Sequence, residues 1–83
     1  MTKTEQRLFN TLDIYHAAFL SLNGISPTLE LRNGRVVFVF PATDELYKLT
    51  MSFNSNVNVP VADFVTMIKT LRAQMLSIRG RRQ

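Results

Sequence analysis

In the segment LELRNGRVVFVFP at residues 29–41, apolar and polar residues alternate before the Asn-Gly dipeptide, and five consecutive apolar residues, 36–40, follow it. Two apolar runs flank Asn33-Gly34. This dipeptide is a strong hairpin signal, because a type I′ turn needs positive φ at both of its central residues. The pattern therefore predicts two antiparallel strands joined by a two-residue turn, with Pro41 ending the second strand.

The register of this hairpin determines which residues share a face of the sheet, since directly paired residues point to the same side. The larger apolar side chains fall on one face, which is expected to meet the core: Leu29, Leu31, Val36, Phe38 and Phe40. The other face is mixed and carries Thr28, Glu30, Arg32, Arg35, Val37 and Val39. Val37 and Val39 are thus predicted either to stay partly exposed as ordinary strand residues or to be covered by a second copy of the chain or a ligand.

A short strand from Arg7 to Thr11 and a first helix over about residues 12–23 are predicted before the hairpin. Thr11 can cap the amides of the first helical turn, and Gly24 can adopt the left-handed conformation after the last turn. Apolar residues cover most of the circumference of this segment. Such a distribution is typical of a helix that is buried on more than one side.

Two further helices are predicted after the hairpin. The first begins after the N-cap Thr43 and continues to about residue 54, and the second begins at Pro60 and runs to about Arg79. The last helix has one apolar stripe at spacings of three and four, formed by Val61, Phe64, Val65, Ile68, Leu71, Met75 and Ile78. The resulting order β-α-β-β-α-α predicts an α+β domain, a small antiparallel sheet packed on one face by helices.

The composition indicates a single folded domain. The chain has 83 residues, of which 46% are hydrophobic, and it has no cysteine to form a disulfide. One domain over residues 1–83 is therefore predicted, ordered over about residues 6–79 and followed by a basic tail at residues 80–83. No signal peptide is indicated and no apolar run approaches the ~18 residues of a membrane helix, so a cytoplasmic protein without membrane association is expected.

The chain is poor in the residues that usually carry catalysis. Its one histidine, His16, has no second histidine and no cysteine with which to complete a metal site, and is expected at an exposed or core-edge position. Asp44 and Glu45 are adjacent and suit the first turn of a helix, and no glycine-rich phosphate loop is present. We therefore predict a non-enzymatic protein that has neither a cofactor nor a metal ion.

Two kinds of binding remain open. The first is self-association as a homo-oligomer, or binding of another protein, through apolar residues that lie off the core faces: Val37, Val39, Met67 and Leu76. The alternative is nucleic-acid binding, because the formal net charge is +4 and basic residues occur at the hairpin and along the last helix. The candidate nucleic-acid contacts are Arg32, Arg35, Lys69, Arg72, Arg79, Arg81 and Arg82.

Taken in order, these motifs resemble a small bacterial and phage family that is catalogued as a domain of unknown function. The resemblance covers about residues 7–76. The matching positions are Leu12, Asp13, Tyr15, Ala17, Ala18, Phe19, Leu20 and Gly24, then Arg35 to Phe40, then Pro60, Asp63 and Phe64. The resemblance implies a stand-alone small domain from phage or mobile-element surroundings, and it assigns no catalytic or binding residue.

Overall fold

A computed structural model describes residues 7–80 and contains one three-stranded sheet and three helices. The strands are β1 (Leu8–Thr11), β2 (Thr28–Arg32) and β3 (Arg35–Pro41). The helices are α1 (Ile14–Leu22), α2 (Asp44–Asn54) and α3 (Val61–Gly80). The element order β-α-β-β-α-α and the antiparallel pairing confirm the predicted α+β fold.

β3 is the central strand, with β1 on one side and β2 on the other. Arg32 pairs with Arg35 and Leu29 pairs with Phe38, which is the register predicted from the two-residue turn. Asn33 and Gly34 have φ angles of 51° and 80°. Both values are positive, as a type I′ turn requires, so the hairpin prediction is confirmed in its turn and in its register.

The core lies between one face of this sheet and a single layer of helices. Every helix contributes at least one buried residue to the cluster around Phe38 and Phe40, whose members are Ala17, Ala18, Leu20, Phe38, Phe40, Leu46 and Leu71. The shortest dimension of the molecule is 17 Å, in agreement with two layers. Since Val37 and Val39 alternate with the core phenylalanines along β3, they point to the opposite face, over which no helix of residues 7–80 packs.

α1 begins two residues later than the sequence predicted, because Asp13 and not Thr11 is its N-cap. Asp13 Oδ1 accepts hydrogen bonds from the N–H groups of Tyr15 at 2.9 Å and His16 at 3.3 Å. Thr11 is the last residue of β1, and its Oγ1 accepts a hydrogen bond from the Asp13 N–H at 3.0 Å. An aspartate side chain at the N-cap satisfies helix amides and favours the helix dipole, which explains the later start.

The starts of the other helices follow the sequence signals closely. The Leu46 N–H donates to Thr43 Oγ1 at 3.1 Å, so Thr43 is the N-cap of α2 as predicted. Leu46 is fully buried, and the cap therefore fixes the position at which α2 enters the core. The Pro60 carbonyl accepts a hydrogen bond from the Phe64 N–H at 3.0 Å, which places Pro60 immediately before the first helical residue of α3.

The buried face of α3 is rotated relative to the predicted stripe. Val61 and Val65 were expected on the core side, but both are exposed. Met67 was expected to be surplus apolar surface, but it packs against the core beside Ile68. The buried residue Leu71 marks the centre of the core face, and positions four residues away on a helix share a face, so Met67 belongs to the core.

The Gly34→Val variant should lose roughly 1 kcal/mol or more of unfolding free energy, because a β-branched residue is strained at positive φ. No atom lies within 4 Å of the position that a Cβ would occupy, so the cost comes from the backbone and not from a clash. Urea denaturation measures the effect. Gly80→Val is the control, since Gly80 also has open space around it and does not have a positive φ. Equal midpoints for wild type and Gly34→Val would contradict the turn assignment.

Candidate functional site

The predicted interface valines are buried within the single chain. Val37 is 9% exposed and Val39 is 5% exposed. Both lie on the central strand, where Val39 stands between Asn10 on β1 and Thr28 on β2, while Val37 stands opposite Glu30. Both valines are therefore buried without a second molecule, whereas the sequence predicted either partial exposure or cover by a second copy or a ligand.

An apolar strip nevertheless runs along this face of the sheet. It consists of Leu8, Pro41, Val39 and Val37, since Leu8 pairs with Pro41 and thus shares the face of the valines. Leu8 is 57% exposed and contributes most of the open apolar surface. Leu8 was not among the residues predicted for this surface, although its alternation with the core residue Phe9 along β1 was the available signal.

An ion pair borders the apolar strip on the β2 side. Arg32 donates from Nε and Nη2 to Glu30 Oε1 at 2.9 Å and 2.6 Å. Both side chains remain more than 40% exposed, so the pair adds little stability but cancels the charge of each partner. Arg32 therefore does not present a free positive charge at the tip of the hairpin.

β1 leaves one edge of the sheet without a further strand in the described part of the chain. The Ala42 N–H donates to the Arg7 carbonyl at 2.9 Å, so Arg7 forms a hydrogen-bonded pair with Ala42. Hydrogen-bonded pairs alternate along an antiparallel ladder, so the amides of Leu8 and Asn10 point away from β3. This edge strand contains no charged residue, and it lacks the usual protection against pairing with another chain.

A basic cleft lies at the other end of β3, and we call it the Arg35–Arg79 cleft. Its volume is about 220 Å³, and it is lined by Leu12, Arg35, Val36, Met75 and Arg79. Arg35 is the first residue of β3, whereas Arg79 lies in the last turn of α3. The fold thus brings together two of the predicted nucleic-acid contacts, one from the hairpin and one from the last helix.

The remaining basic candidates are distributed differently. Lys69 and Arg72 are exposed on α3. Arg72 lies seven residues before Arg79 and therefore shares a helical face with it, and Leu76 lies between them at 61% exposure. Arg81 and Arg82 lie outside the described residues.

His16 is more deeply placed than the sequence suggested. It is buried, with its ring stacked on Phe53 at 5.1 Å and in edge contact with Phe9 at 5.4 Å between ring centroids. Its Nε2 lies 2.9 Å from Thr50 Oγ1. Burial lowers the pKa of His16 below its ordinary value, and the nearby Asp13 carboxylate opposes this effect in part. His16 therefore favours the neutral form and joins α1 to α2.

These surroundings give His16 a structural role. Across residues 7–80 no group of three or more histidine, cysteine, aspartate or glutamate side chains could hold a metal ion. A separate cleft of about 400 Å³ lies between the end of α1 and the loop before α3, and Asp63 is the one charged residue that lines it. The His16 ring is thus engaged by Thr50 and Phe53, and its neighbour Asp13 caps the first amides of α1.

The geometry defines a small two-layer α+β domain with two surface features, the apolar strip and the Arg35–Arg79 cleft. Residues 6–77 match the family described as a domain of unknown function, DUF5659. The chain belongs to this family, which confirms that it resembles a domain of unknown function. No curated protein and no solved structure matches the chain. None of the described helices is long and apolar enough to cross a membrane.

The stability of the protein should fall as the pH decreases below about 6.5, because the unfolded chain then binds a proton at His16 more readily than the folded protein does. Above that pH both states hold a neutral ring and this contribution is complete. Urea midpoints at about pH 7.5 and about pH 5.5 measure the loss. The control is His16→Gln, which cannot titrate, and an equal pH dependence in wild type and variant would contradict the assignment.

Proposed function

We propose that the protein is a non-enzymatic binding module that associates with a second copy of itself through the helix-free face of its sheet. One observation carries the proposal: β3 is apolar at five consecutive positions from Val36 to Phe40, and Leu8, beside it on the face away from the core, remains 57% exposed. Continuous apolar runs are typical of strands that are covered on both faces, whereas a sheet with one solvated face usually alternates.

The character of this face favours a second copy over a charged partner. The apolar strip carries no charge, and the neighbouring Glu30–Arg32 pair is neutral as a unit. A two-fold contact brings the same patch of each copy together, so a neutral apolar strip is complementary to itself. Arg35 lies on the same face at the end of the strand and would stand at the rim of such a contact.

The size of the face sets the expected strength of the association. Strands of four, five and seven residues, at about 3.3 Å per residue and about 4.8 Å spacing, give a face of roughly 250 Å². Stable interfaces bury about 800 Å² on each partner. The proposed dimer is therefore weak and concentration-dependent, with a dissociation constant in the micromolar range or above.

The non-enzymatic part of the proposal is supported by the state of the titratable groups. His16 is engaged with Thr50 and Phe53, and Asp13 is engaged with the first amides of α1. Asp44, Glu45 and Asp63 lie in first turns of helices, where they favour the helix dipole. A cytoplasmic location is part of the same proposal, because a chain without cysteine is compatible with a reducing compartment.

The double variant Val37→Lys with Val39→Glu should fail to fold or should lose several kcal/mol of stability, since it places two charges at buried positions. Circular dichroism and thermal melting measure the outcome. A stably folded double variant would show that neighbouring side chains do not seal the two valines. The double variant is therefore a test of the fold and not a clean test of the interface.

Leu8→Lys tests the interface, because Leu8 is exposed in the single chain and its replacement should leave the fold intact. Sedimentation equilibrium of the wild type should show a reversible dimer at high micromolar concentration, and Leu8→Lys should weaken it at least about tenfold, equivalent to about 1.4 kcal/mol. Met51→Lys is the matched control, since Met51 is also exposed but lies on α2 in the helical layer. A wild type that remains monomeric, or equal weakening by both variants, would contradict the proposal.

A further inference from the structure

The Arg35–Arg79 cleft is built from three separate parts of the chain. Leu12 comes from the segment between β1 and α1, Arg35 and Val36 come from the start of β3, and Met75 and Arg79 come from the end of α3. Val36 is buried and Met75 packs against the core, so the floor of the cleft belongs to the folded interior. Two guanidinium groups therefore border a cleft whose base is apolar and fixed by packing.

The cleft has no anionic group of its own. None of its five lining residues is acidic, and within residues 7–80 neither Arg35 nor Arg79 forms a salt bridge. The nearest acid in sequence is Asp13, whose Oδ1 is held by the amides of Tyr15 and His16. Like charges repel when they share a site, so an anion bound between the two arginines is favoured.

Arg32 provides an internal comparison. It lies directly opposite Arg35 at the same end of the hairpin, and its exposure is similar. Its guanidinium is held by Glu30 at 2.6 Å, whereas no described carboxylate holds Arg35. The hairpin tip therefore carries one available arginine, and that arginine is the one that faces the end of α3 across the cleft.

The positive surface continues beyond the cleft along α3. Arg72 and Arg79 share a helical face and are separated by seven residues, which corresponds to about 10.5 Å along the helix axis. Exposed Leu76 lies between them, and exposed Leu12 lies in the cleft itself. Arginines spaced along an apolar track can contact successive phosphates while the leucines meet sugar or base surface, an arrangement that a single small anion would not use.

We infer that the Arg35–Arg79 cleft, extended by Arg72, binds the phosphate backbone of nucleic acid. Arg35 and Arg79 hold one phosphate between them, and Arg72 contacts another phosphate further along the strand. The binding is electrostatic and independent of base sequence, because both guanidinium groups contact phosphate and the other lining side chains are apolar and cannot read a base edge. The site borders the apolar strip at Arg35, at the rim of the proposed dimer contact, whereas Arg72 and Arg79 lie on α3 in the helical layer.

Fluorescence anisotropy with a labelled oligothymidylate and the full chain tests the inference. Arg35→Gln and Arg79→Gln should each weaken binding about fivefold or more at low salt. Each should also reduce the magnitude of the slope of log affinity against log salt by about one, since one phosphate contact is lost. Arg32→Gln is the matched control and should change affinity less than about twofold, because Glu30 already neutralises Arg32. All three positions are exposed, and thermal melting verifies that each variant is folded.

Several results would overturn the inference. Equal losses for Arg32→Gln and Arg35→Gln would show that overall positive charge is responsible, and loss only on removal of residues 81–83 would assign binding to the tail. Full competition by millimolar inorganic phosphate at constant ionic strength would show a site for a free anion instead of a backbone. Absence of oligothymidylate binding by the wild type at low salt would reject nucleic acid as the ligand.

Discussion

The structure depends on the burial of β3 as the central strand of the sheet. Its residues from Val36 to Phe40 are all buried, and its two edges are paired with β1 and β2. Because side chains alternate along a strand, one face of β3 supplies Phe38 and Phe40 to the core, and the other supplies the apolar strip. Slippage of either pairing by one residue would exchange these two sets, so hydrophobic burial fixes the register throughout the sheet.

The arrangement of basic residues follows from the same register. Arg35 is the first residue of β3, and pairing with Arg32 places it at the hairpin tip. The packing of α3 on the core then brings Arg79 to the neighbouring cleft. Glu30 and Arg32 lie two residues apart on one face of β2, which lets them form an ion pair. At the hairpin tip Arg32 is therefore neutralised by Glu30, whereas no described carboxylate pairs with Arg35. The net charge of the chain does not distinguish these two arginines.

The features that sequence predicted correctly are those determined by neighbouring residues. The Asn33-Gly34 turn and the Thr43 cap are local, because each depends on φ preferences or on a hydrogen bond within a few residues. The features it missed require distant contacts. The burial of Val39 depends on β1 pairing as well as on β2, and the burial of His16 depends on α2, from which Thr50 supplies its hydrogen bond. Helical periodicity likewise identified α3 but could not determine how far its face was rotated about the axis.

The apolar strip would act through hydrophobic contact and the Arg35–Arg79 cleft through electrostatic attraction, and the two could reinforce each other in a dimer. The sheet face that carries the strip measures roughly 250 Å², which supports at most a weak contact between copies. If the cleft binds a phosphate backbone as inferred, it makes few phosphate contacts, so its affinity is low and falls with salt in proportion to their small number. In a two-fold dimer, a nucleic-acid strand bound at one cleft meets the second cleft at a high effective concentration. Each weak interaction would then strengthen the other without any additional residue, because the dimer would hold the two clefts together.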